Sequence, residues 1–494
     1  MTYRINFTIP HTNFNLVAYD PSIFIQFIPK KDGRQVFSEW YIEYKDGTTT
    51  SFIEINVIEK LVNHIRDKII LEPDWADSLH IEAENINKNY FEFAKNIRDV
   101  DVSEIGNQEL YELYRDLREH QIKSHTYAVS TTWFLDSDGE VYTNYLKEQL
   151  KAHLNTKGSN DTLTLVEYFT ILTTPYRENF AMEEQIEFLT LLQTIKQSGG
   201  DVHNFLEDIE LHYKKWHWVP YGYIGPAYTL DYYIDRIGQE LKTENIDELI
   251  SIEKTRSEKL KNERDELLEK IDLPADLKHL FDIARDIIWL KDYRKYCLWH
   301  GHYVLDLLTA EIAKRLHISH RQANHMLTPE AQKSLVDGDD VDEHLLNERI
   351  LYTLIHSTEN GSKFYYGEKA KHIRESFDIE EIEIDRSHGF KGTCACPGVV
   401  KGEVKIVNSM EDIGKVNDGD IMLALTTYPS MLPAMKRASA IVTEDGGITC
   451  HAAIVSREFK IPCVVGVKKI CSMLKDGDIV KVDATDGTIT NSKK

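Results

Sequence analysis

The stretch from Asp445 to Ser456, DGGITCHAAIVS, constrains local structure more than any other part of this 494-residue chain. Gly446 and Gly447 allow a tight backbone turn that residues with a side chain resist, and an apolar run starts at Ala452. The pattern therefore predicts a glycine-rich turn that leads into a helix. It places His451 at the junction, where the unpaired backbone amides of a helix N-terminus favour negative charge.

That position suits a histidine that carries a phosphoryl group. Imidazole attacks phosphorus only when it is neutral, and a helix N-terminus disfavours the positive charge of imidazolium. Once phosphorylated, the side chain is anionic, and the same amides stabilise it. The candidate catalytic residues are His451 and, as a supporting hydroxyl, Thr449. Gly446, Gly447 and Cys450 form the candidate phosphate-binding turn. A plainer interpretation is a glycine turn with a capping threonine and an incidental histidine.

Three blocks of sequence extend this pattern on both sides of His451. They read CPGVVKGEVKIV at 396–407, DGDIMLALTTYPSMLPAMKRASAIVTEDGGITCHAAIVSREFKIPCVVGV at 418–467, and LKDGDIVKVDATDGTI at 474–489. In this order they resemble the mobile phosphohistidine domain of the phosphoenolpyruvate-utilising enzymes, such as phosphoenolpyruvate synthase, pyruvate phosphate dikinase and rifampin phosphotransferase. The resemblance places the family's phosphorylated histidine at His451. It implies a phosphotransferase that works through a phosphohistidine on a swivelling α/β domain.

Composition narrows the range of partners. The formal charge of −23 and the pI near 5.3 argue against a surface for nucleic acid or anionic membrane. No basic segment followed by an apolar run opens the chain, and no run of roughly eighteen apolar residues occurs, so neither secretion nor a membrane span is expected. Six cysteines without a CxxC pair indicate reduced thiols and a cytoplasmic protein, and their spacing predicts no metal site.

The first hundred residues predict a small α+β lobe. Aromatic and β-branched runs at Ile23–Pro29 and Phe37–Tyr44 indicate strands, and Ile55–Ile70 has helical spacing. Nothing in this segment indicates what the lobe does.

The remainder predicts two domains joined by a linker. Residues 101–375 are mainly helical and predict a domain that binds the acceptor. Within it, Ile246–Ile271 indicates a solvated helix or an antiparallel pair. Residues 376–392 are acidic, lack helical periodicity and predict the linker. Residues 393–494 alternate short strands and helices. The expected fold is therefore multidomain, with a mainly helical central domain followed by a C-terminal α/β swivelling phosphohistidine domain.

The helical region contains two candidate groups for binding an acceptor. The segment WHWVPYGYIGPAYTLDYY cannot form one regular helix, and its Trp218, Tyr221 and Tyr223 are candidates to line a pocket. Lys291 and Arg294 lie three residues apart on one helical face, where they could clamp a phosphate or carboxylate. Each group has a plainer interpretation, namely helix packing for the aromatic segment and salt bridges to neighbouring aspartates for the basic face.

The resemblance also shapes the expected donor and acceptor. The related enzymes carry an ATP-grasp domain before the histidine domain, but no glycine-rich nucleotide loop with a following lysine appears in residues 1–390. We therefore expect ATP or phosphoenolpyruvate on a separate ATP-grasp-type donor protein, with Mg²⁺ on that partner and no cofactor bound by this chain. The expected acceptor is a small molecule. Two alternatives stay open: a non-catalytic regulatory or scaffold protein that docks or senses through the histidine domain, and a split phosphoenolpyruvate synthase subunit.

Overall fold

The chain folds into two compact units, Met1–Glu380 and Glu381–Lys494, which we call the helical unit and the C-terminal unit. A computed structural model describes residues 2–9, 39–132, 141–157, 163–242, 245–380, 389–408, 410–427, 431–444, 446–447 and 450–491. The strand expected at Ile23–Pro29 lies outside these residues. Each unit has its own sheet and its own core.

The sheet of the helical unit combines strands from distant parts of the chain. Its strands are β1 (Thr2–Ile9), β2 (Glu39–Lys45), β3 (Thr48–Glu54), β4 (Tyr352–Thr358), β5 (Gly361–Tyr366) and β6 (Asp378–Ile379). Their order is β5-β4-β2-β3-β1-β6, and neighbours are antiparallel except for the parallel pair of β1 and β6. Asp46 and Gly47 both have positive φ and form the tight turn between β2 and β3.

Helices make up most of the rest of this unit. They are α1 (Ile55–Leu71), α2 (Pro73–Arg98), α3 (Asn107–Thr132), α4 (Val141–Lys157), α5 (Leu165–Thr173), α6 (Phe180–Gln197), α7 (Leu206–Trp216), α8 (Leu230–Glu240), α9 (Ile246–Ile271), α10 (Ala275–Leu316), α11 (His320–Ala323), α12 (Thr328–Gln332), α13 (Glu343–Leu351) and α14 (Gly367–Glu375). A 3₁₀ turn at Val202–Phe205 precedes α7, and a π-helical turn at Lys333–Asp337 follows α12.

The core of the helical unit lies where α2 and α3 pack on the 42-residue helix α10. The apolar stripe of α3 faces this core, because Leu110, Tyr114 and Leu117 are each at most 1% exposed. Helix α10 passes α2 so closely that a Cβ atom on Gly301 would lie 1.9 Å from the Tyr90 hydroxyl oxygen. Glycine at that position lets the two helices approach each other.

The C-terminal unit has an eight-stranded sheet. Its strands are β7 (Phe390–Lys391), β8 (Thr393–Cys396), β9 (Val399–Ile406), β10 (Ile421–Ala424), β11 (Ala440–Thr443), β12 (Cys463–Val465), β13 (Ile479–Asp483) and β14 (Thr488–Asn491). Its helices are α15 (Leu432–Arg437), α16 (His451–Glu458) and α17 (Ile470–Met473), with a 3₁₀ turn at Met410–Lys415.

The strand order is β7-β14-β13-β9-β10-β11-β12-β8, and the four strands from β9 to β12 are parallel to one another. Every residue of β10 and β11 is buried, as expected for parallel strands that are covered on both faces. The glycine-rich turn that precedes His451 follows β11, so it lies at the carboxyl end of a central parallel strand.

The two-unit division differs from the expected arrangement at the N-terminal end. Residues 1–100 and 101–375 form one unit, because β2 pairs along its whole length with β4, and β1 pairs with β6. A separate lobe would leave those strand edges unpaired.

Several local expectations are directly visible. The helix expected over Ile55–Ile70 is α1, and Ile246–Ile271 is one continuous helix rather than an antiparallel pair. Of the linker expected at 376–392, residues 381–388 lie outside the described part, and its boundaries stay a prediction. No helix in the described part of the chain is long and apolar enough to cross a bilayer.

Candidate functional site

The candidate phosphohistidine turn runs from the end of β11 to the start of α16. Helix α16 begins at His451, with Cys450 in an extended conformation as its N-cap residue. The Cys450 backbone N–H donates to the carbonyl of Gly447 at 3.0 Å, which closes the turn directly before the helix. The backbone of His451 therefore occupies the first position of a helix, as the sequence predicts. Nearby backbone amides there have no partner within the helix.

Gly446 is required in this turn for two independent reasons. Its φ is +110°, which side-chain-bearing residues rarely adopt, and an added Cβ atom would lie 2.9 Å from both Cβ and Sγ of Cys450. Its carbonyl oxygen also lies 3.0 Å from where a Cβ atom of Gly466, itself at φ +72°, would stand. The turn is therefore packed tightly between its own helix and the loop after β12.

Backbone hydrogen bonds hold the two ends of the turn in place. The N–H of Val467 donates to the carbonyl of Thr443 at 3.0 Å, and the N–H of Glu444 donates to the carbonyl of Ala424 at 3.0 Å. The Glu444 carboxylate accepts the backbone N–H of Cys471 at 2.9 Å. The segment before the glycines is thus fixed to β10, to the loop after β12 and to α17, and this pre-positions the start of α16.

Thr443 is a polar residue at this site that the sequence interpretation missed. Its side chain is fully buried, and its hydroxyl has no hydrogen-bond partner among the described residues. The oxygen lies 4.0 Å from the position of a Cβ atom on Gly446, so it stands beside the turn. The only signal in the sequence is a threonine that ends the otherwise apolar strand AIVT.

Arg457 anchors the far side of α16. Its Nε donates to the carbonyl of Ala395 in β8 at 2.8 Å, which ties the helix to the edge of the sheet. Burial lowers the pKa of the guanidinium, and the nearby thiols counteract this fall. The thiols belong to Cys394, Cys396, Cys450 and Cys463. These cysteines come from β8, β12 and the turn before α16, so no local pattern in the sequence indicates that they lie near Arg457.

The remaining predicted site residues of the C-terminal unit can be placed only in part. Cys450 is half-buried and Gly447 is partly exposed beside it. Thr449 lies outside the described residues, as does the side chain of His451. The roles of these residues in holding a phosphoryl group stay predictions.

In the helical unit, the aromatic segment after α7 lies against α10. Trp218 is 1% exposed, and its ring is enclosed by Phe91, Phe180 and His300, with the closest ring centroid 4.7 Å away. Its indole nitrogen donates to the carbonyl of Lys215 at 2.8 Å. These contacts give Trp218 a packing role beneath the segment.

The two tyrosines of the segment approach polar residues of α10. The Tyr221 ring packs edge-on against Tyr303, and burial together with the Asp306 carboxylate raises the pKa of its phenol. The Tyr223 ring centroid lies 5.8 Å from that of His302. Burial also raises the pKa of the Tyr223 phenol, while the charge of Arg294 opposes this rise.

Arg294 faces the interior of the unit and is 5% exposed, whereas Lys291 is half-buried. Arg294 therefore belongs to a polar seam between α3 and α10 rather than to a basic outer face. Within that seam Arg118 donates to Gln121 at 2.5 Å, and Gln121 contacts His302 at 2.8 Å between the amide nitrogen and Nε2. Burial and the charge of Arg118 lower the pKa of His302 to about 3, so this imidazole is neutral.

The predicted acceptor residues are thus partly brought together. Tyr221 and Tyr223 both contact α10, the helix that carries Arg294, and the sequence could not reveal this because the tyrosines lie about seventy residues before that arginine. Within the described part of the chain no group of three or more histidine, cysteine, aspartate or glutamate side chains is arranged to hold a metal ion.

Comparison with known families agrees with the geometry of the glycine turn. Residues 416–487 match the family described as PEP-utilising enzyme, mobile domain. This range includes β10, β11, the glycine turn and the whole of α16. This part of the C-terminal unit is therefore similar to the mobile domain of the PEP-utilising enzymes.

Individual relatives match over larger or smaller parts of the chain. A probable phosphoenolpyruvate synthase from Archaeoglobus fulgidus is 48% identical over 119 residues, which cover 24% of this chain and 16% of that protein. A probable phosphoenolpyruvate synthase from Methanothermobacter thermautotrophicus is 36% identical over 185 residues, which cover 37% of this chain and 24% of that protein. Rifampicin phosphotransferase from Bacillus cereus is 28% identical over 252 residues, which cover 47% of this chain and 27% of that protein. The chain therefore spans no more than 27% of the length of these three relatives.

The longest of these matches reaches beyond the C-terminal unit. That unit is about a quarter of the chain, whereas the match to rifampicin phosphotransferase covers 47% of it. Part of the helical unit is therefore similar in sequence to that relative as well.

Proposed function

We propose that this chain is a phosphotransferase component in which His451 carries a phosphoryl group to a small-molecule acceptor bound by the helical unit. The observation that carries the proposal is the backbone of the glycine turn. It ends in a helix that begins at His451, inside a match to the PEP-utilising mobile domain. A helix N-terminus supports both a neutral imidazole before the reaction and an anionic phosphoryl group after it.

The proposed reaction consists of two in-line displacements. In the first, neutral His451 attacks a phosphorus of ATP or phosphoenolpyruvate held by a separate ATP-grasp-type donor protein, the P–O bond to the rest of the donor breaks, and the nucleotide or the enolate of pyruvate leaves. In the second, an oxygen of the acceptor attacks the same phosphorus, and the imidazole leaves as a neutral base. The Mg²⁺ belongs to the nucleotide on the donor protein. A C-terminal unit that swivels between the two partners would make both displacements possible.

The similarity to rifampicin phosphotransferase supports an acceptor site in the helical unit. The match extends into that unit, and the relative's name describes transfer to a small molecule. Tyr221, Tyr223, Arg294 and Lys291 are the proposed acceptor-binding residues, with Trp218 packed beneath them. The polar seam contributed by α3 and α10 would orient an acceptor that carries an anionic group.

The test is whether His451 takes up phosphate. The full chain is incubated with ATP carrying ³²P on the β-phosphoryl group, Mg²⁺ and the candidate ATP-grasp protein, and separately with labelled phosphoenolpyruvate or with phosphoramidate, a small chemical donor. We expect an acid-labile, base-stable label on the wild type and on His344→Ala, whose histidine is exposed. The label should be absent from His451→Ala. Failure of every donor to label the wild type would contradict the proposal.

A further inference from the structure

A second histidine site lies at the corner between α10 and α11. The Nε2 atom of His320, the first residue of α11, lies 3.3 Å from Oδ1 of Asp306 in α10. Thr309 Oγ lies 3.2 Å from the same nitrogen, and Asn324 donates to Asp306 at 3.1 Å. An imidazole held by a carboxylate in this way is the usual arrangement of a general base and the residue that orients it.

The hydrogen bonds favour one tautomer of His320. The Thr309 hydroxyl donates to the side-chain oxygen of Asn324 at 2.6 Å and also lies 3.2 Å from the carbonyl of Asp306, so its oxygen is placed to accept from the imidazole. The Asp306 carboxylate can only accept, and it therefore favours the tautomer of neutral His320 with the proton on Nε2, whereas the Asn324 amide nitrogen, 3.4 Å from the same atom, can only donate and competes with it. The side-chain contacts of His320 with Asp306, Thr309 and Asn324 are all made by Nε2, so Nδ1 is the ring nitrogen placed to accept a proton.

His320 is also accessible. Its side chain is 41% exposed, and that of Asp306 is 31% exposed. Ser319 caps α11 through a reciprocal pair of hydrogen bonds with Gln322, so the backbone that carries His320 is well fixed. The site thus combines a rigid attachment with an open face, whereas a histidine that serves only packing is normally enclosed.

The aromatic segment reaches the same carboxylate. The Tyr221 phenol interacts with Asp306, and the ring of Tyr221 is held from behind by Gly225, where a Cβ atom would lie 2.8 Å from the ring. Gly225 has φ +77°, so the loop is shaped to fold back over Tyr221. The residue proposed to line the acceptor site and the Asp306–His320 pair therefore belong to one cluster.

The electrostatics of the cluster differ from those of the neighbouring histidines. The hydrogen bond and charge of Asp306 raise the pKa of His320. Burial opposes ionisation of Asp306, but the hydrogen bond and charge of His320 lower its pKa overall. The other titratable groups that face Asp306 are Tyr221 and His302, and from α13 Glu343 is bound to Gln322. His320 is thus the part of the cluster that can exchange a proton near neutral pH.

We propose that His320 is the general base that takes the proton of an acceptor hydroxyl when phosphohistidine 451 transfers its phosphoryl group, and that Asp306 positions it. This inference rests on the function proposed above, and it narrows the acceptor to a compound with a hydroxyl group. The acceptor oxygen forms the new bond to phosphorus as the P–N bond breaks. The electron pair of that bond returns to His451, and the hydroxyl proton moves to Nδ1 of His320.

The experiment follows the loss of phosphohistidine from the full chain. The protein is phosphorylated with phosphoramidate, freed of excess reagent, and transferred to buffers between about pH 5.5 and 8.5, with water or added glycerol as the hydroxyl acceptor. Phosphorus NMR measures the decay and any glycerol phosphate. The acid-catalysed decay of the unfolded phosphoprotein is measured in parallel as the baseline.

We expect the wild-type rate above this baseline to rise with pH as His320 loses its proton. His320→Gln should lose this rise and react at least tenfold more slowly at the upper end. Asp306→Asn should keep the rise but move it to lower pH, because the pKa of His320 is no longer raised. His344→Gln, with the same substitution at an exposed histidine, should match the wild type.

Two results would overturn the inference in different ways. If His320→Gln keeps the full pH-dependent rise, or Asp306→Asn leaves its midpoint unchanged, the cluster has only a structural role at the corner. The phosphohistidine proposal would survive that outcome. If the wild type never forms phosphohistidine, both proposals fail. Because Asp306→Asn keeps a neutral hydrogen-bonding side chain, it tests the idea even if His320→Gln does not fold.

Discussion

At the scale of single residues, the glycine turn shows how backbone conformation and side-chain space restrict one position together. Gly446 has a positive φ and no room for a Cβ atom, since Cys450 occupies the space at 2.9 Å. Gly389, Gly398 and Gly487 of the same unit combine the two restrictions in the same way, whereas Gly419 has only the positive φ and Gly414 has neither. That contrast separates the cost of backbone strain from the cost of a steric clash.

Gly446→Ala should destabilise the start of α16 by about 1–3 kcal/mol from strain alone, and by more through the contact with Cys450. Hydrogen exchange of the amides in α16 measures this directly, and labelling of His451 should fall in parallel. Gly419→Ala shares the positive φ, at +94°, but has open space, and Gly414→Ala has neither restriction. We expect the loss of stability to be largest for Gly446→Ala, smaller for Gly419→Ala and smallest for Gly414→Ala. Equal losses for the first two would show that the contact with Cys450 is unimportant.

The start of α16 could be predicted because it depends on neighbouring residues only. A pair of glycines followed by a helical apolar run is a local signal, and the structure places the helix start at His451 accordingly. Thr443 could not be predicted, because the lack of a hydrogen-bond partner for its hydroxyl among the described residues depends on packing between β11 and segments distant in the chain. The sequence therefore predicts a helix start that depends on adjacent residues, but it does not predict which polar side chain is buried.

At the scale of single elements, α10 determines the arrangement of the helical unit. It packs on α2 through Gly301, and it contributes Arg294, His302 and Asp306 to the polar seam and the histidine corner. A Cβ atom added at Gly301 would overlap the Tyr90 hydroxyl. A helix can tolerate glycine in its interior where packing compensates for its lower helix propensity.

Gly301→Ala should therefore destabilise the helical unit by about 1–3 kcal/mol, although alanine is the better helix former. Gly238→Ala is the matched control, since Gly238 lies in α8 with nothing within 4 Å of an added Cβ atom, and it should stabilise by about 0.5–1 kcal/mol. Urea unfolding measures both. Combining Gly301→Ala with Tyr90→Leu should cost less than the sum of the two single changes; additive costs would place the clash elsewhere.

Element types were easier to predict than the direction their faces point. In α3 the residues Leu110, Tyr114 and Leu117 recur at helical spacing and are buried, because apolar spacing identifies a core face. The spacing of Lys291 and Arg294 suggested one basic face, yet Arg294 is buried in the seam and Lys291 is not. A charged residue can be buried where polar groups of another helix bind it. The spacing of residues within one helix does not show which other helix packs against it.

At the scale of the whole molecule, the helical unit holds several buried histidines in the neutral form. Burial lowers the pKa of His302 to about 3 and that of His325 to about 4, and it also lowers the pKa values of His125 and His300. In the unfolded chain these side chains bind protons near pH 6.5. Their contribution to stability is thus complete above about pH 6.5 and is lost as the pH falls toward the folded values.

We therefore expect the helical unit to lose about 2 kcal/mol for each such histidine between neutral pH and about pH 5. All 7 tryptophans of the sequence precede residue 300, so tryptophan fluorescence during urea unfolding reports on this unit selectively. His325→Gln should make the fall in unfolding free energy between neutral pH and about pH 5 smaller by about 2 kcal/mol, whereas the exposed control His344→Gln should leave that fall unchanged. Unfolding free energies that do not change with pH would contradict the neutral state of these side chains.

The sequence predicted two kinds of region correctly, but it did not predict how they are assembled. The mainly helical region and the C-terminal α/β region are visible in the periodicity and in the family blocks. The pairing of β2 with β4 joins segments that lie far apart in the chain, so no local pattern indicates it. The expected boundary near residue 100 depended on local composition, and long-range strand pairing overrides composition.

Helix α10 also determines which changes of chain length the helical unit can accept. Each residue advances an α-helix by about 100°, so one deletion between Arg294 and Asp306 would rotate every later side chain by that angle. His302 would turn away from Gln121, and Asp306 would turn away from Tyr221. A point substitution in this helix changes one side chain, whereas an insertion or a deletion changes the direction in which every later side chain points. Gene variants that alter its length should therefore be far rarer than variants that alter its composition.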